Sequence, residues 1–176
     1  MVAALQRGGL PTQAQFHEAI AHKSDRWFSA CLRITHCPEL AEDAVQDALL
    51  TAWNKRHQFQ GNSSLETWIH RIAINAALQL IRKQRPGSFQ PLDREVGESE
   101  DCAERDAANH ELDTTLAAAF RHLTEIERVC FVLRHLEQWK LREIADEMGT
   151  NEGRIKQALF RAVKKLRVKL KDMRSQ

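Results

Sequence analysis

Residues 141–159 read LREIADEMGTNEGRIKQAL. Ile144, Ala145 and Met148 follow helical spacing, Gly149-Thr150-Asn151 interrupts it, and Ile155 and Leu159 resume it. A small residue, Ala145, stands where two helices must cross. Gly149 frees the backbone at the turn, and Asn151 suits the N-cap of the second helix. The pattern fits a helix-turn-helix, which carries the start of its second helix into a duplex major groove with the helix N-terminus near phosphate. The face opposite Ile155, Leu159 and Ala162 carries Arg154, Lys156, Gln157, Phe160, Arg161 and Lys164. Arginine and glutamine suit guanine and adenine edges, and lysine mainly neutralises phosphate. Taken alone, the segment also fits, less well, a solvated basic helix in an ordinary bundle.

Outward from this stretch the chain is all helix. Its 176 residues are 43% hydrophobic and 28% charged, with only 7 Gly and 4 Pro, so long helices with few turns are expected. The periodicity predicts helices over about 13–36, 39–57 and 65–84, making residues 1–85 one unit. The first draws its apolar content from Phe16, Ala19, Ile20, Trp27, Phe28, Cys31, Leu32 and Ile34. Pro38 suits the first turn of the second helix, whose buried stripe reads Ala41, Ala44, Val45, Ala48, Leu49, Ala52 and Trp53. Ser63 or Ser64 caps the third, which is expected to bury Leu65, Trp68, Ile69, Ile72, Ala73, Ala76 and Leu80. Residues 86–108 open with Pro-Gly-Ser, are acidic and read as a linker. Residues 109–176 form a second unit, with Leu112, Leu116, Ala119, Phe120 and Leu123 as its first stripe. Thr124 and Glu127 form a capping box before Ile126, Val129, Cys130 and Leu133.

The formal net charge is +2, but the charge is segregated. Residues 152–174 hold nine bases against two acids, and residues 86–113 nine acids against two bases, which points to a highly charged partner. Cys31, Cys37, Cys102 and Cys130 lack paired spacing, so neither a metal site at His36-Cys37 nor a disulfide framework is expected. No secretory or membrane-spanning pattern is seen, and a reduced, cytoplasmic setting is expected. There is no phosphate-binding loop, no zinc-protease motif and no compact carboxylate cluster, so no enzyme activity and no cofactor are expected.

Two further surfaces stand out in the first unit. Glu39, Asp43, Gln46, Asp47, Leu50 and Asn54 share one face of the second helix, away from its buried stripe. An acidic face interrupted by Leu50 suits a protein partner with basic groups, although a merely solvated face fits as well. Phe59 and Trp68 flank the polar loop Gly61-Asn62-Ser63-Ser64, and Arg71, Asn75, Gln79 and Arg82 share a face of the next helix. Bases, amides and nearby aromatics suit single-stranded DNA, or else plain surface chemistry. Trp68 is expected in the core rather than stacked on a base.

Three segments in this order, AEDAVQDALLTAW (41–53), FQGNSSLETWIHRIAIN (59–75) and LTEIER (123–128) leading into the helix-turn-helix, resemble the sigma-70 family, specifically its extracytoplasmic-function group. The resemblance covers about 25–84 and 110–170. It implies a promoter-specific initiation factor that binds the β and β′ subunits of core RNA polymerase and promoter DNA. Asp43, Gln46 and Asp47, on the face bounded by Glu39, Leu50 and Asn54, would dock on β′. Asn62, Ser63 and Ser64, with Phe59, Arg71, Asn75, Gln79 and Arg82 nearby, would take the −10 element. Lys156, Gln157, Phe160 and Arg161, flanked by Arg154 and Lys164, would meet the −35 duplex. The linker would thread toward the RNA exit path, and an anti-sigma factor would be a further partner. Leu50, Gln79, Arg154, Ala158 and Gln138-Trp139-Lys140 depart from the usual family residues, the last replacing Gly-Leu-Ser. The competing function is a stand-alone helix-turn-helix regulator, which would need to dimerise, and no sustained heptad seam is present.

Overall fold

The computed structural model describes residues 9–84 and 118–174. The expected linker, the start of the second unit near Asn109, Leu112, Leu116 and Cys102 lie outside the described residues. Every element among those described is helical, and the chain divides into two compact units, Met1–Gln84 and Arg85–Gln176.

In the first unit, Thr12 opens α1 (Gln13–Thr35) with a capping box: its hydroxyl accepts from the Gln15 N–H, and its own N–H donates to Gln15 Oε1 at 2.8 Å. His36, left-handed at φ 56°, ends the helix by donating its N–H to the Leu32 carbonyl. Pro38 then starts α2 (Pro38–Asn54) in its first turn. A single 3₁₀ turn, Arg56–Gln58, and a short loop lead to α3 (Leu65–Gln84). The three helices pack mutually around Trp27, Ile34, Ile69, Ile74 and Leu78. The Cys31 thiol points at the Ala73 carbonyl, 3.5 Å away, and ties α1 to α3.

The α2 stripe is narrower than the sequence pattern suggests. Ala41, Ala44, Ala48 and Ala52 are fully enclosed, while Val45 and Leu49 are half-buried and Trp53 is 38% exposed. Trp53 instead caps the edge of the bundle. Phe16 meets it edge-on at 5.2 Å, and the Arg56 guanidinium lies 4.4 Å over its ring while Nη1 donates to the Trp53 carbonyl. The phase of α3 also differs. Its enclosed residues are Ile69, Ala73, Ile74, Ala77, Leu78 and Ile81, whereas Leu65, Trp68, Ile72, Ala76 and Leu80 are half-buried. Apolar residues cover more than half of this helix's circumference, so periodicity leaves its rotation open; contact with both α1 and α2 selects it.

In the second unit, residues 118–120 end a helical turn, and Thr124 caps α4 (Glu125–Phe131) with Glu127, as the Thr-x-x-Glu spacing predicts. A π turn, Val132–Leu136, follows. Trp139 N–H donates back to the Leu133 carbonyl at 2.9 Å, with Gln138 left-handed at φ 60°. A positive φ is a conformation that glycine adopts freely and that a side chain adopts only at a cost. The bend drives Trp139 into the core, a burial its sequence position did not announce. Then come α5 (Leu141–Glu147) and α6 (Glu152–Arg174), with both α4 and α5 packed on α6.

Close approach at the alanine seam makes a clear expectation. Ala48→Leu should lower unfolding free energy by about 1–3 kcal/mol through overpacking, while Leu50→Ala should change it by less than about 0.5 kcal/mol; urea titration of both variants decides this. Burial, with the charge of Glu127 adding to it, pushes the Cys130 thiol up to about 12, so it stays neutral at physiological pH. Timed iodoacetamide labelling with mass spectrometry should therefore modify half-buried Cys37 well before Cys130 in the native protein; equal rates would contradict the placement.

Candidate functional site

The helix-turn-helix is built as its residues dictate. Ile144 and Ala145 on α5, Met148 at its C-cap, and Ile155, Ala158, Ala162 and Leu166 on α6 are buried. Gly149 sits at φ +62°, a conformation that side chains rarely adopt, and Thr150 N–H donates to the Ala145 carbonyl at 2.9 Å. Asn151 Oδ1 accepts the Arg154 N–H at 3.0 Å and so caps α6. A Cβ at Gly153 would fall 3.1 Å from that oxygen, so glycine there keeps the cap unhindered. Leu159, expected on the inner face, is half-buried, and Ala158 is the enclosed residue. Ala158 therefore does not occupy an exposed position where a basic side chain would reach DNA.

Arg154, Lys156, Gln157, Phe160, Arg161 and Lys164 are all exposed, and Phe160 is 71% so. The structure thus brings the whole predicted set onto one outward face of α6. An exposed phenyl between cations matches the mixed needs of a groove: an apolar edge for a thymine methyl, and charge for phosphate.

Glu39, Asp43, Gln46, Asp47, Leu50 and Asn54 are all exposed on the outer side of α2, with Leu50 at 65%. The acidic stripe lies opposite the alanine seam, so its orientation follows from the packing of the first unit.

The third set is arranged less simply. Gly61, at φ +68°, turns the loop, and Asn62, Ser63 and Ser64 are exposed. Ser64 is the cap: its Oγ accepts the Thr67 N–H at 3.2 Å and lies 2.9 Å from the Thr67 hydroxyl. Asn62 reaches back to Gln60 Oε1 at 3.1 Å. Phe59 and Trp68, at the two ends of the loop, form a tilted pair with centroids 5.4 Å apart, and both are half-buried. Trp68 therefore braces the loop rather than filling the core. Arg71 and Gln79 are exposed, but Asn75 and Arg82 are half-buried, contrary to an outward row of four. Asn75 lies beside the selected packing face, and its Oδ1 is buried without a hydrogen-bond partner.

Two features escaped the sequence reading. Trp53 and Arg56 form the corner between α2 and the loop, and no local spacing marks a cation stacked on an aromatic. Lys165 pairs with buried Glu127 at 2.8 Å across 38 residues of chain, a separation with no local signature. Among the described residues no group of three metal-ligating side chains converges, and no helix is long and apolar enough to cross a membrane.

Comparison with known proteins bears on these surfaces. Residues 20–86 match the family described as sigma-70 region 2, and residues 114–166 match sigma-70 region 4. The chain is 29% identical over 175 residues to the ECF RNA polymerase sigma factor SigG of Mycobacterium tuberculosis, covering 86% of this chain and 45% of that protein. It is 27% identical over 173 residues to the ECF RNA polymerase sigma factor SigW of Bacillus subtilis, covering 92% and 91%. The chain thus spans less than half the length of the first of these relatives. Its fold resembles that of the sigma factor RpoE of Bartonella quintana, solved in complex with the anti-sigma factor NepR. That match has a TM-score of 0.58 and 24% identity, covering 89% of this chain and 96% of that one.

The cap on α6 sets a stability expectation: Asn151→Ala should cost about 1 kcal/mol, and Asn151→Asp only a few tenths, measured by urea denaturation.

Proposed function

The chain belongs to the sigma-70 family, and from that membership we propose that it binds core RNA polymerase and directs transcription initiation at specific promoters. The observation that carries this reading is the presence on one chain of three chemically distinct exposed faces: acidic, loop-and-cation, and basic helix-turn-helix. The α2 face offers carboxylates and a protruding Leu50 to a basic protein surface, here the β′ clamp, with the β subunit contacting the chain elsewhere. The loop at 61–64 offers exposed amide and hydroxyl groups to an unstacked base of the −10 element, with Arg71 and Gln79 beside it. α6 offers its outward row to the −35 duplex, each bidentate base contact contributing about 1–3 kcal/mol of discrimination. Residues 1–85 would thus serve polymerase and the −10 element, and residues 109–176 the −35 element, with 86–108 linking them.

The protein acts by binding and makes no covalent bond: binding energy offsets base unstacking, which costs a few kcal/mol per step. An inhibitory anti-sigma protein that covers these faces would silence it, and a cytoplasmic setting follows from the polymerase partner. A stand-alone helix-turn-helix regulator would need only the second unit and leaves the α2 face and the loop without a role.

Binding to core polymerase tests the reading. Labelled chain should bind core enzyme, and the paired change Asp43→Lys with Asp47→Lys should weaken binding by at least about tenfold. Because both positions are exposed, circular dichroism should be unchanged. Equal binding by the charge-reversed chain would overturn the assignment of this face.

A further inference from the structure

The basic residues of α6 are not equivalent. Arg154, Lys156, Arg161 and Lys164 are exposed, whereas Lys165 is half-buried and turns its ammonium inward. Lys165 Nζ lies 2.8 Å from Oε2 of Glu127 on α4. Glu127 is 1% exposed, and the same oxygen accepts the Thr124 N–H at 3.0 Å. The Glu127 N–H donates to the Thr124 hydroxyl, closing the capping box. One enclosed carboxylate oxygen thus fastens the first turn of α4 to the second half of α6. A carboxylate removed from water in this way requires a charged partner, and losing that partner leaves a buried charge that the surrounding helices must move to hydrate.

We infer that Lys165 is a positioning residue: by neutralising the enclosed Glu127 carboxylate it lets α4 and α6 keep the packing that presents the outward row to duplex DNA, and it contacts no phosphate itself. The inference rests on the reading of α6 as a duplex-binding helix. It splits two adjacent lysines by role. Lys164 contributes to the counterion-dependent part of binding, and Lys165 does not. Glu127 is then both the acceptor of the α4 cap and the buried charge that a cation on α6 must neutralise.

The test uses the full chain assembled with core RNA polymerase and the duplex that this wild-type holoenzyme selects from a random pool. Dissociation constants are measured over a range of salt for wild type, Lys164→Met, Lys165→Met, Glu127→Gln and the double variant Glu127→Gln with Lys165→Met. Lys164→Met should lower the slope of log affinity against log salt by about 0.9, as expected when one phosphate contact is lost. Lys165→Met should leave the slope unchanged and weaken binding about tenfold, because the stranded carboxylate displaces the helix. Glu127→Gln alone should stay within about threefold of wild type, since its amide oxygen still accepts the Thr124 N–H and Lys165 can turn to water. In the double variant the neutral amide should restore binding to within about threefold. Should Lys165→Met fail to fold, the double variant, which strands no charge, carries the slope measurement.

A slope lowered by about 0.9 in Lys165→Met or in the double variant would make Lys165 a phosphate contact and overturn the inference. So would failure of Glu127→Gln to rescue Lys165→Met, or a folded Lys165→Met chain that binds as tightly as wild type. Recovery of no duplex by the wild-type holoenzyme would instead overturn the duplex-reading assignment of α6, and this inference with it.

Discussion

Four alanines on one side of α2 govern the first unit. Ala41, Ala44, Ala48 and Ala52 are fully enclosed, and their small side chains let α2 lie close against α1 and α3. A helix seated on so narrow a seam has one rotation available, because turning it would bring Val45, Leu49 or the carboxylates into a gap sized for methyl groups. The outward direction of Asp43, Asp47 and Leu50 is thereby a consequence of packing. The acidic face need not be held in place by its own contacts.

The second unit reaches the same end by different means. Its long helix α6 is oriented by a left-handed glycine at 149, an asparagine cap at 151 and a buried row of Ile155, Ala158, Ala162 and Leu166. Each cation of the outward row then needs only solvent on its side of the helix. The exception is the Glu127–Lys165 pair, where charge has been drawn inside. A buried ion pair is weak as a source of net stability but discriminating in geometry, since other arrangements of the two helices leave one charge unpaired.

What the sequence made legible was local. The Thr124–Glu127 capping box, the break at Gly149, the Asn151 cap and the Pro38 start all depend on residues within four positions of one another, and their side chains reach only their own turn. The exposed rows on α2 and α6 were also legible, because a whole row of charged and polar residues on one helix face is rarely buried. The rotation of α3 was not, since nearly any face of that helix is apolar enough to bury. The large aromatics Trp53 and Trp68 were assigned to the interior by hydrophobicity. In the fold they brace edges, where a broad ring covers the seam and meets Phe16, Arg56 or Phe59. Gln138 takes a left-handed turn that its residue type does not favour, and the Lys165 pair joins positions 38 residues apart.

In the proposed function these faces act together, on one polymerase and one promoter. Transcription from a library of genomic fragments, with purified core RNA polymerase alone and with this chain added, measures it directly. The chain should give rise to new transcripts whose starts lie at a constant distance downstream of a shared pair of short sequence elements. A transcript profile identical to that of core enzyme alone would contradict it.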